Sequence, residues 1–124
     1  GTKTTVERAL KLIDAGALDA EPVDQLAARL GVGTRHLARL FQQHIGASPL
    51  QTAKTFRVQR AKRLLDETDL PMTEIAFRAG FKSVRRFNSV FRELYGRAPS
   101  EMRRRPVRRS SAPSPQHELQ RRLA

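Results

Sequence analysis

Residues 48–68, SPLQTAKTFRVQRAKRLLDET, are the stretch that decides the fold. Ser48 suits the cap of a helix, Pro49 suits the first helical position, and Gln51 completes an S-x-x-Q capping box. The stretch therefore predicts a long helix. Its apolar side chains cover more than one stripe, which predicts packing against apolar partners on two sides. These side chains are Leu50, Ala53, Phe56, Val58, Ala61, Leu64 and Leu65.

The segments before and after this helix repeat one another. The first reads LAARLGVGTRHLARLFQQHIGASP from Leu26, and the second reads IAFRAGFKSVRRFNSVFRELYGRAP from Ile75. Matching residues lie 49 positions apart before the turn and 50 positions apart after it, so the second copy has one extra residue in its turn. A solenoid needs about three copies or more. Duplication of a small module is therefore the better interpretation.

Helix start and stop signals predict an all-α fold of about seven helices. Thr4 and Glu7 can form a capping box at the first helix, and Leu70-Pro71 interrupts the helical pattern after residue 68. The predicted helices span residues 5–15, 22–30, 34–45, 48–68, 72–79 and 83–95, with a final short helix from Pro99.

The charge of the chain indicates a polyanionic partner. Lys and Arg number 24 against 12 acidic residues, which gives a net charge of +12 and a pI near 11.6. Residues 1–49 carry six basic and five acidic side chains, whereas residues 71–124 carry thirteen basic and four acidic ones. Double-stranded DNA is the leading candidate partner, and an anionic membrane surface is the second.

Several classes of site are not indicated by the sequence. There are no cysteines, and the three histidines, His36, His44 and His117, lack metal-ligand spacing. We expect no enzyme activity, no cofactor, no metal and no small-molecule ligand within this chain. No apolar run approaches the roughly 20 residues that cross a bilayer. With double-stranded DNA as the leading candidate, we expect no membrane partner. Because the chain begins with Gly1 rather than Met, we expect a fragment of a longer protein.

Each copy has the features of a helix-turn-helix. Such a motif needs a small residue where its helices cross, a glycine in the turn, and apolar residues that hold the second helix on the first. The first copy supplies Ala27, Gly31, Leu37 and Leu40, and the second supplies Ala76, Gly80, Phe87 and Val90. One match would be a weak signal, but two in register within a strongly basic chain favour a DNA-binding protein.

The predicted domain therefore covers residues 5–102 and contains two helix-turn-helix subdomains joined by a long central helix. Its parts are a first helix-turn-helix at 22–46, a linker helix at 48–68 and a second helix-turn-helix at 71–96. We expect residues 103–124, rich in Arg, Ser and Pro, to form a basic disordered tail or linker.

A helical projection at 100° per residue separates a core side from a polar side in the second helix of each copy. The core sides comprise Leu37, Leu40, Phe41 and His44, and Phe87, Val90, Phe91 and Leu94. In the first copy the outward positions are Arg35, Arg39 and Gln42, flanked by His36, Ala38 and Gln43. In the second copy they are Arg85, Ser89 and Arg92, flanked by Arg86 and Asn88. An ordinary solvated face is the alternative for either copy alone.

These outward faces define the candidate DNA contacts. Arginines four residues apart on an exposed helix suit bidentate recognition of guanine in the major groove. The candidate DNA-binding residues are Arg35, His36, Arg39, Gln42, Arg85, Arg86, Asn88 and Ser89. The candidate phosphate contacts, which position the protein without specifying sequence, are Thr34, Gln43, Ser83 and Arg92. A linker helix of about 20 residues spans roughly 30 Å, near the ~34 Å of one duplex turn, which predicts binding in successive major grooves.

The doubled motif, the RVQRAKRLL segment and the GFKSVRRFNSVFRELYGRAP segment resemble the DNA-binding domain of AraC/XylS-type bacterial transcription regulators. The resemblance covers roughly residues 5–105. It implies seven helices, two helix-turn-helix subdomains, promoter binding by a monomer in the bacterial cytoplasm at the nucleoid, and transcription activation. It places base contacts at Arg35, Ala38, Arg39, Arg85, Arg86, Asn88 and Ser89. Ala38 offers only a methyl group, and Ser89 is shorter than the Arg often found there.

More narrowly, SVRRFN and LPMTEIAFRAGF resemble regulators of the alkylation-damage response. In these Ada-type proteins the domain lies between a cysteine-zinc methyl acceptor and an AlkA-type DNA glycosylase. The final HELQRRLA resembles the opening strand of that glycosylase. The resemblance implies that this chain is the regulatory DNA-binding part.

Two other functions remain open from the sequence. One is a protein-interaction module that contacts RNA polymerase through exposed residues of the short helices, such as Asp24, Gln25 and Arg78. The other is a basic helical module that tethers a fused repair glycosylase to DNA without sequence preference. The second predicts that removing residues 103–124 abolishes DNA binding, whereas a promoter-binding domain keeps its sequence preference.

Overall fold

The computed structural model describes residues 1–103, and all regular elements in this part of the chain are helices. There are eight of them: α1 (Thr2–Asp14), α2 (Ala17–Ala20), α3 (Val23–Arg29), α4 (Thr34–His44), α5 (Pro49–Glu67), α6 (Met72–Ala79), α7 (Val84–Tyr95) and α8 (Pro99–Met102). The chain divides into two compact units, with the boundary between Val58 and Gln59. None of the described helices is long and apolar enough to cross a membrane.

The first unit has its own apolar core, formed by α1 to α4 and the first part of α5. Leu26 of α3 and Leu37 and Phe41 of α4 are completely buried in it. The other buried members are Ala9, Ile13, Leu18, Ala27, Leu30 and Ala53, with Phe56 packed against them. Arg57 of α5 donates to an Asp19 carboxylate oxygen at 2.6 Å. Both side chains are partly buried, and their ion pair joins α5 to α2.

The second unit comprises the rest of α5 with α6, α7 and α8, and its interior is rich in aromatic rings. Phe87 of α7 lies 5.1 Å from Phe81 and 5.0 Å from Phe91, measured between ring centroids, and the second pair meets edge to face. Such pairs contribute about 0.5–1.5 kcal/mol beyond the area they bury. The buried residues of this unit also include Ala61, Leu65, Ile75, Ala76, Ala79, Val90 and Ala98.

The two turns have the same backbone geometry. In the first unit the Val32 N–H donates to the Ala27 carbonyl at 3.0 Å, and in the second the Phe81 N–H donates to the Ala76 carbonyl at 2.9 Å. Each bond spans five residues and closes a Schellman motif at the end of the preceding helix. The glycine between donor and acceptor has a positive φ, +75° at Gly31 and +103° at Gly80. The repeat in the sequence is therefore a repeat in the fold.

The helix caps show that the repeat continues past the second helix of each helix-turn-helix. At α5 the Ser48 N–H donates to Gln51 Oε1 at 2.9 Å and the Gln51 N–H donates to Ser48 Oγ at 3.1 Å, so the predicted capping box is confirmed. Fifty residues later the Ala98 N–H donates to Glu101 Oε1 at 3.1 Å. The short α8 is thus the counterpart of the beginning of α5.

The linker helix has the two-sided packing that was predicted. Ala53 is buried in the core of the first unit, whereas Ala61 and Leu65 are buried in the second. Leu50 is an exception, because 57% of its surface is exposed.

Two expectations for the N-terminal region were wrong. Helix α1 begins at Thr2, so Thr4 lies inside the helix and cannot cap it with Glu7; the N-cap is Gly1. Helix α2 was not predicted, and it makes one helix more than the expected seven. Gly16, with φ +104°, ends α1, but four residues then form another turn of helix that buries Leu18.

Two residues expected on the core side are exposed. They are His44 and Leu94, of which the latter keeps 51% of its surface exposed. Both lie in the last turn of their helices, one turn beyond the buried Leu40 and Val90. A helical projection predicts which side of the helix a residue faces, but not how far the core extends along the helix axis.

Arg103, the first residue of the predicted tail, is hydrogen-bonded to the fold. The Arg103 guanidinium donates to the carbonyl oxygens of Leu70 at 3.0 Å and Thr68 at 3.2 Å, with a longer bond to that of Leu65 at 3.5 Å. These carbonyls lie at and beyond the end of α5, where helix acceptors lack intrahelical partners. The fold therefore includes Arg103. The predicted disordered tail at 104–124, including HELQRRLA and His117, lies outside the described residues.

The turn geometry predicts opposite effects for one substitution at two neighbouring glycines. Gly31→Ser should lower the free energy of unfolding by ~1–2 kcal/mol, because a residue with a Cβ is strained at positive φ. Gly33 is the N-cap of α4 with φ −78°, and Ser83 occupies the equivalent position before α7. Gly33→Ser should therefore raise the free energy of unfolding by a few tenths of a kcal/mol. Urea denaturation measures both; equal destabilisation by the two variants would contradict the turn geometry.

Candidate nucleic-acid interface

Helix α4 is anchored on one side and open on the other. Leu37, Leu40 and Phe41 are 0–3% exposed and fix the helix on the first unit. The opposite face is solvent-exposed and consists of Thr34, Arg35, His36, Ala38, Arg39, Gln42 and Gln43. All the candidate residues of the first copy therefore lie on one accessible helix face.

Helix α7 has the same arrangement in the second unit. Phe87, Val90 and Phe91 are 0–2% exposed and anchor it. The exposed candidates are Ser83, Arg85, Arg86, Ser89 and Arg92, whereas Asn88 is half-buried. Asn88 therefore lies at the margin of the accessible face.

Ser83 has a structural role that its assignment as a phosphate contact did not include. Its Oγ accepts a hydrogen bond from the Arg86 N–H at 3.0 Å and caps α7. The hydroxyl hydrogen can still be donated to a phosphate oxygen. At the equivalent position α4 has Gly33, which supplies no side-chain cap.

One direct contact links two candidate side chains on α4. Arg39 Nη2 lies 3.3 Å from His36 Nδ1, one helical turn away. A guanidinium can only donate hydrogen bonds, so the two groups form a hydrogen bond in the His36 tautomer that has no proton on Nδ1. In α7 the equivalent positions hold Arg86 and Ser89, which are both exposed.

Part of the positive charge is used within the fold. Besides Arg57 and Arg103, Arg60 donates to the Ala79 carbonyl at 2.5 Å. Arg29 pairs with Glu21 at 2.6 Å, and Arg78 pairs with Glu74 at 2.8 Å. These residues hold helices together or lie in surface ion pairs, and they contribute less to attracting an anion than the net charge implies.

Four arginines on the exposed faces of α4 and α7 differ from these residues in their pairing. Within residues 1–103 no acidic side chain pairs with Arg35, Arg85, Arg86 or Arg92. Exposed guanidinium groups without a carboxylate partner are suited to bidentate bonds with guanine or phosphate. These four arginines therefore supply available positive charge on the faces that the candidate residues define.

Sequence reasoning missed the structural roles of Arg57, Arg60 and Arg103, because it counted each only as a positive charge. A signal existed for two of them. Arg57 lies four positions from both Ala53 and Ala61, and Arg60 lies four positions from Leu64, so both lie on the edge of the apolar stripes of α5. For Arg103 no local pattern indicated its contacts 33 to 38 residues away.

Three acidic residues, Asp66, Glu67 and Asp69, lie at the end of α5 and just beyond it. Glu67 and Asp69 are exposed. Asp66 is half-buried, and its Oδ1 is shielded from solvent without a hydrogen-bond partner in the part of the chain that the structure describes.

The sequence pattern of the family described as "Helix-turn-helix domain" matches residues 26–105. A solved AraC-type transcriptional regulator from Chromobacterium violaceum is 31% identical with a TM-score of 0.72, over 83% of this chain and 92% of that one. The chain belongs to the AraC-type helix-turn-helix family. Members of this family are DNA-binding domains of transcription regulators, so the expectation of a DNA-binding regulatory module rather than an enzyme is confirmed.

Two further relatives connect this AraC-type domain to DNA. The DNA-binding domain of AdpA, a global transcriptional factor solved in complex with a target DNA, is 28% identical with a TM-score of 0.69, over 99% of this chain and 97% of that one. The "Probable bifunctional transcriptional activator/DNA repair enzyme AlkA" of Mycobacterium tuberculosis is 42% identical over 104 residues, or 84% of this chain. The chain spans about a fifth of that relative's length, 21%.

Two exposed arginines of the AraC-type domain should respond differently to substitution. Arg39→Ala should cost ~1–3 kcal/mol of binding free energy on the preferred duplex and relax the preference at one base pair, because a base contact is lost. Arg92→Ala should weaken binding to all duplexes about equally and reduce the salt dependence, because a phosphate contact is lost. Fluorescence anisotropy on preferred and mismatched duplexes distinguishes the two, and identical profiles for both variants would refute the assigned roles.

Proposed function

We propose that this domain binds promoter DNA sequence-specifically as a monomer, with α4 and α7 entering successive major grooves. The observation that carries the proposal is the repeated turn, which presents two anchored helices with exposed polar faces. Support also comes from the similarity to the AdpA domain, which was solved with its target DNA. Because the two faces differ in sequence, the preferred site should be asymmetric.

In this proposal the DNA-binding residues are divided by what they contact. The DNA-binding residues that face the bases are Arg35, Arg39, Gln42, Arg85, Arg86, Asn88 and Ser89, and His36 belongs to the same DNA-binding face of α4 beside Arg39. Phosphates are contacted by Thr34, Gln43, Ser83 and Arg92, which fix the register on the duplex. Arg35 and Arg85 occupy equivalent positions in the two copies and are the best placed for guanine.

The two recognition helices should contribute unequally. At the position of Arg39 in α4, helix α7 has Ser89, whose short hydroxyl cannot form the bidentate bond that an arginine makes with guanine. Ala38 offers only a methyl contact, which suits a thymine methyl group. The first helix-turn-helix should therefore supply more of the base discrimination, and the second more of the phosphate attraction.

For the full-length protein we propose a role in the response to DNA alkylation damage, at the nucleoid in the bacterial cytoplasm. This rests on the relative from Mycobacterium tuberculosis, whose name combines a transcriptional activator with a DNA repair enzyme. The catalytic part of such a protein would lie outside this chain, which would supply promoter recognition.

A second candidate function is contact with RNA polymerase. Phe77 of α6 is 62% exposed, and beside it in sequence is Arg78, which is paired with Glu74 on the same helix. Asp24 and Gln25 of α3 are also exposed. Aromatic residues and Arg are enriched at protein interfaces. This function is compatible with DNA binding, since α3 and α6 are not the helices that carry the candidate base contacts.

The proposal is tested by anisotropy titration of a duplex from the promoter region of the protein's own gene against a scrambled duplex of equal composition. At ~150 mM salt, a specific domain should prefer the promoter duplex by about 10³-fold or more. Equal and steeply salt-dependent binding to both duplexes would contradict it and favour non-specific tethering.

A truncated variant serves as the control for the basic C-terminal segment. The cut belongs after Arg103, because Arg103 is part of the fold. Loss of affinity with an unchanged ratio between the two duplexes agrees with promoter recognition by the helices. Loss of all binding would show that the segment, rather than α4 and α7, carries the interaction.

A further inference from the structure

We propose that His36 is a positioning residue for Arg39. In this inference, which rests on the proposed function, the imidazole holds the guanidinium in place before DNA binds. The first recognition helix is then preorganised for guanine at the position that Arg39 reads.

The inference begins from the contact between the two side chains. Arg39 Nη2 lies 3.3 Å from His36 Nδ1, and the residues are three positions apart on α4. Side chains at this spacing are neighbours on a helix surface. Both are exposed, so neither is held by the core, and each restricts the other.

The contact leaves Arg39 able to bind a base. Nη2 carries two N–H groups, so one can donate to His36 while the other, together with a neighbouring guanidinium N–H, forms a two-donor edge. Such an edge matches the O6 and N7 acceptors of guanine. The contact with His36 also differs from an ion pair, because a carboxylate partner would compete with the DNA for the guanidinium.

Preorganisation matters because a free arginine loses rotamer freedom when it binds. Ordering a long side chain at an interface reduces affinity, and fixing it beforehand removes part of that cost. Helix α7 has no equivalent histidine–arginine pair, because Arg86 and Ser89 occupy the positions of His36 and Arg39. This asymmetry is a second reason for α4 to dominate base discrimination.

The test measures base preference at each position of the preferred duplex by competition anisotropy, using the whole chain. His36→Ala should reduce discrimination at the base pair read by Arg39 by about 2- to 10-fold. His36→Asn should retain most of it, because Asn Oδ1 is an acceptor at the same number of bonds from Cα as His Nδ1. His36 is exposed, so both variants should fold, which thermal denaturation verifies.

A double-mutant cycle separates positioning from direct contact. In an Arg39→Ala background, His36→Ala should cause no further loss of discrimination if His36 acts through Arg39. A loss that persists in that background would overturn the inference, because His36 would then contact DNA itself. Equal losses for His36→Ala and His36→Asn would also overturn it.

The outcome of Arg39→Ala alone distinguishes this inference from the proposed function. If Arg39→Ala leaves base preference unchanged, Arg39 is not a base contact and the positioning inference fails, whereas base recognition by α4 through Arg35 still stands. If Arg39→Ala relaxes the preference but His36→Ala does not, the proposed function stands and only the positioning role is refuted.

Discussion

The tight turn between two helices, closed on the carbonyl of a buried alanine, is the constraint on which each half of the domain depends. The carbonyls of Ala27 and Ala76 accept the N–H of Val32 and Phe81. Both alanine side chains are 0–1% exposed, so a larger side chain there would have to displace its neighbours in the core. The direction in which α4 and α7 leave their turns follows from these hydrogen bonds and from the positive φ of the glycine between the helices.

Apart from the shared turns, the two halves differ in how they anchor their recognition helices and in which side chains these helices expose. The first unit buries aliphatic side chains around Phe41 and leaves α4 without a side-chain cap. The second unit packs Phe81, Phe87 and Phe91 in series and caps α7 with Ser83. On the surface, α4 carries a paired His36 and Arg39, whereas α7 carries more charge but a short Ser89. Duplication preserved the backbone, and the exposed faces diverged into unequal DNA-binding surfaces.

Much of the fold was predictable because its signals are local. The repeat, the glycine turns, the Ser48–Gln51 capping box and the range of α6 all follow from short sequence patterns. Helix α2 was missed because four residues give no measurable periodicity, and its stability comes from burying Leu18. The exposure of His44 and Leu94 was missed because a helical projection contains no information on where a core ends.

The candidate site was predictable in its location but not in its contacts. The outward faces of α4 and α7 follow from helical spacing, and all their candidates except the half-buried Asn88 are exposed. The roles of Arg57, Arg60 and Arg103 depend on partners distant in sequence or on carbonyl oxygens. Composition alone therefore overestimates the charge available to DNA, and the His36–Arg39 contact depends on side-chain rotamers that no sequence pattern specifies.

We propose that one monomer uses two recognition helices on one duplex. Hydroxyl-radical footprinting of the preferred promoter duplex tests it most directly, because protection of the sugar–phosphate backbone maps each contact. Two protected segments about 10 base pairs apart are predicted, and the segment that contacts α4 should be lost selectively in an Arg35→Ala, Arg39→Ala double variant. A single protected segment, or uniform protection lost as a whole in that variant, would contradict the claim.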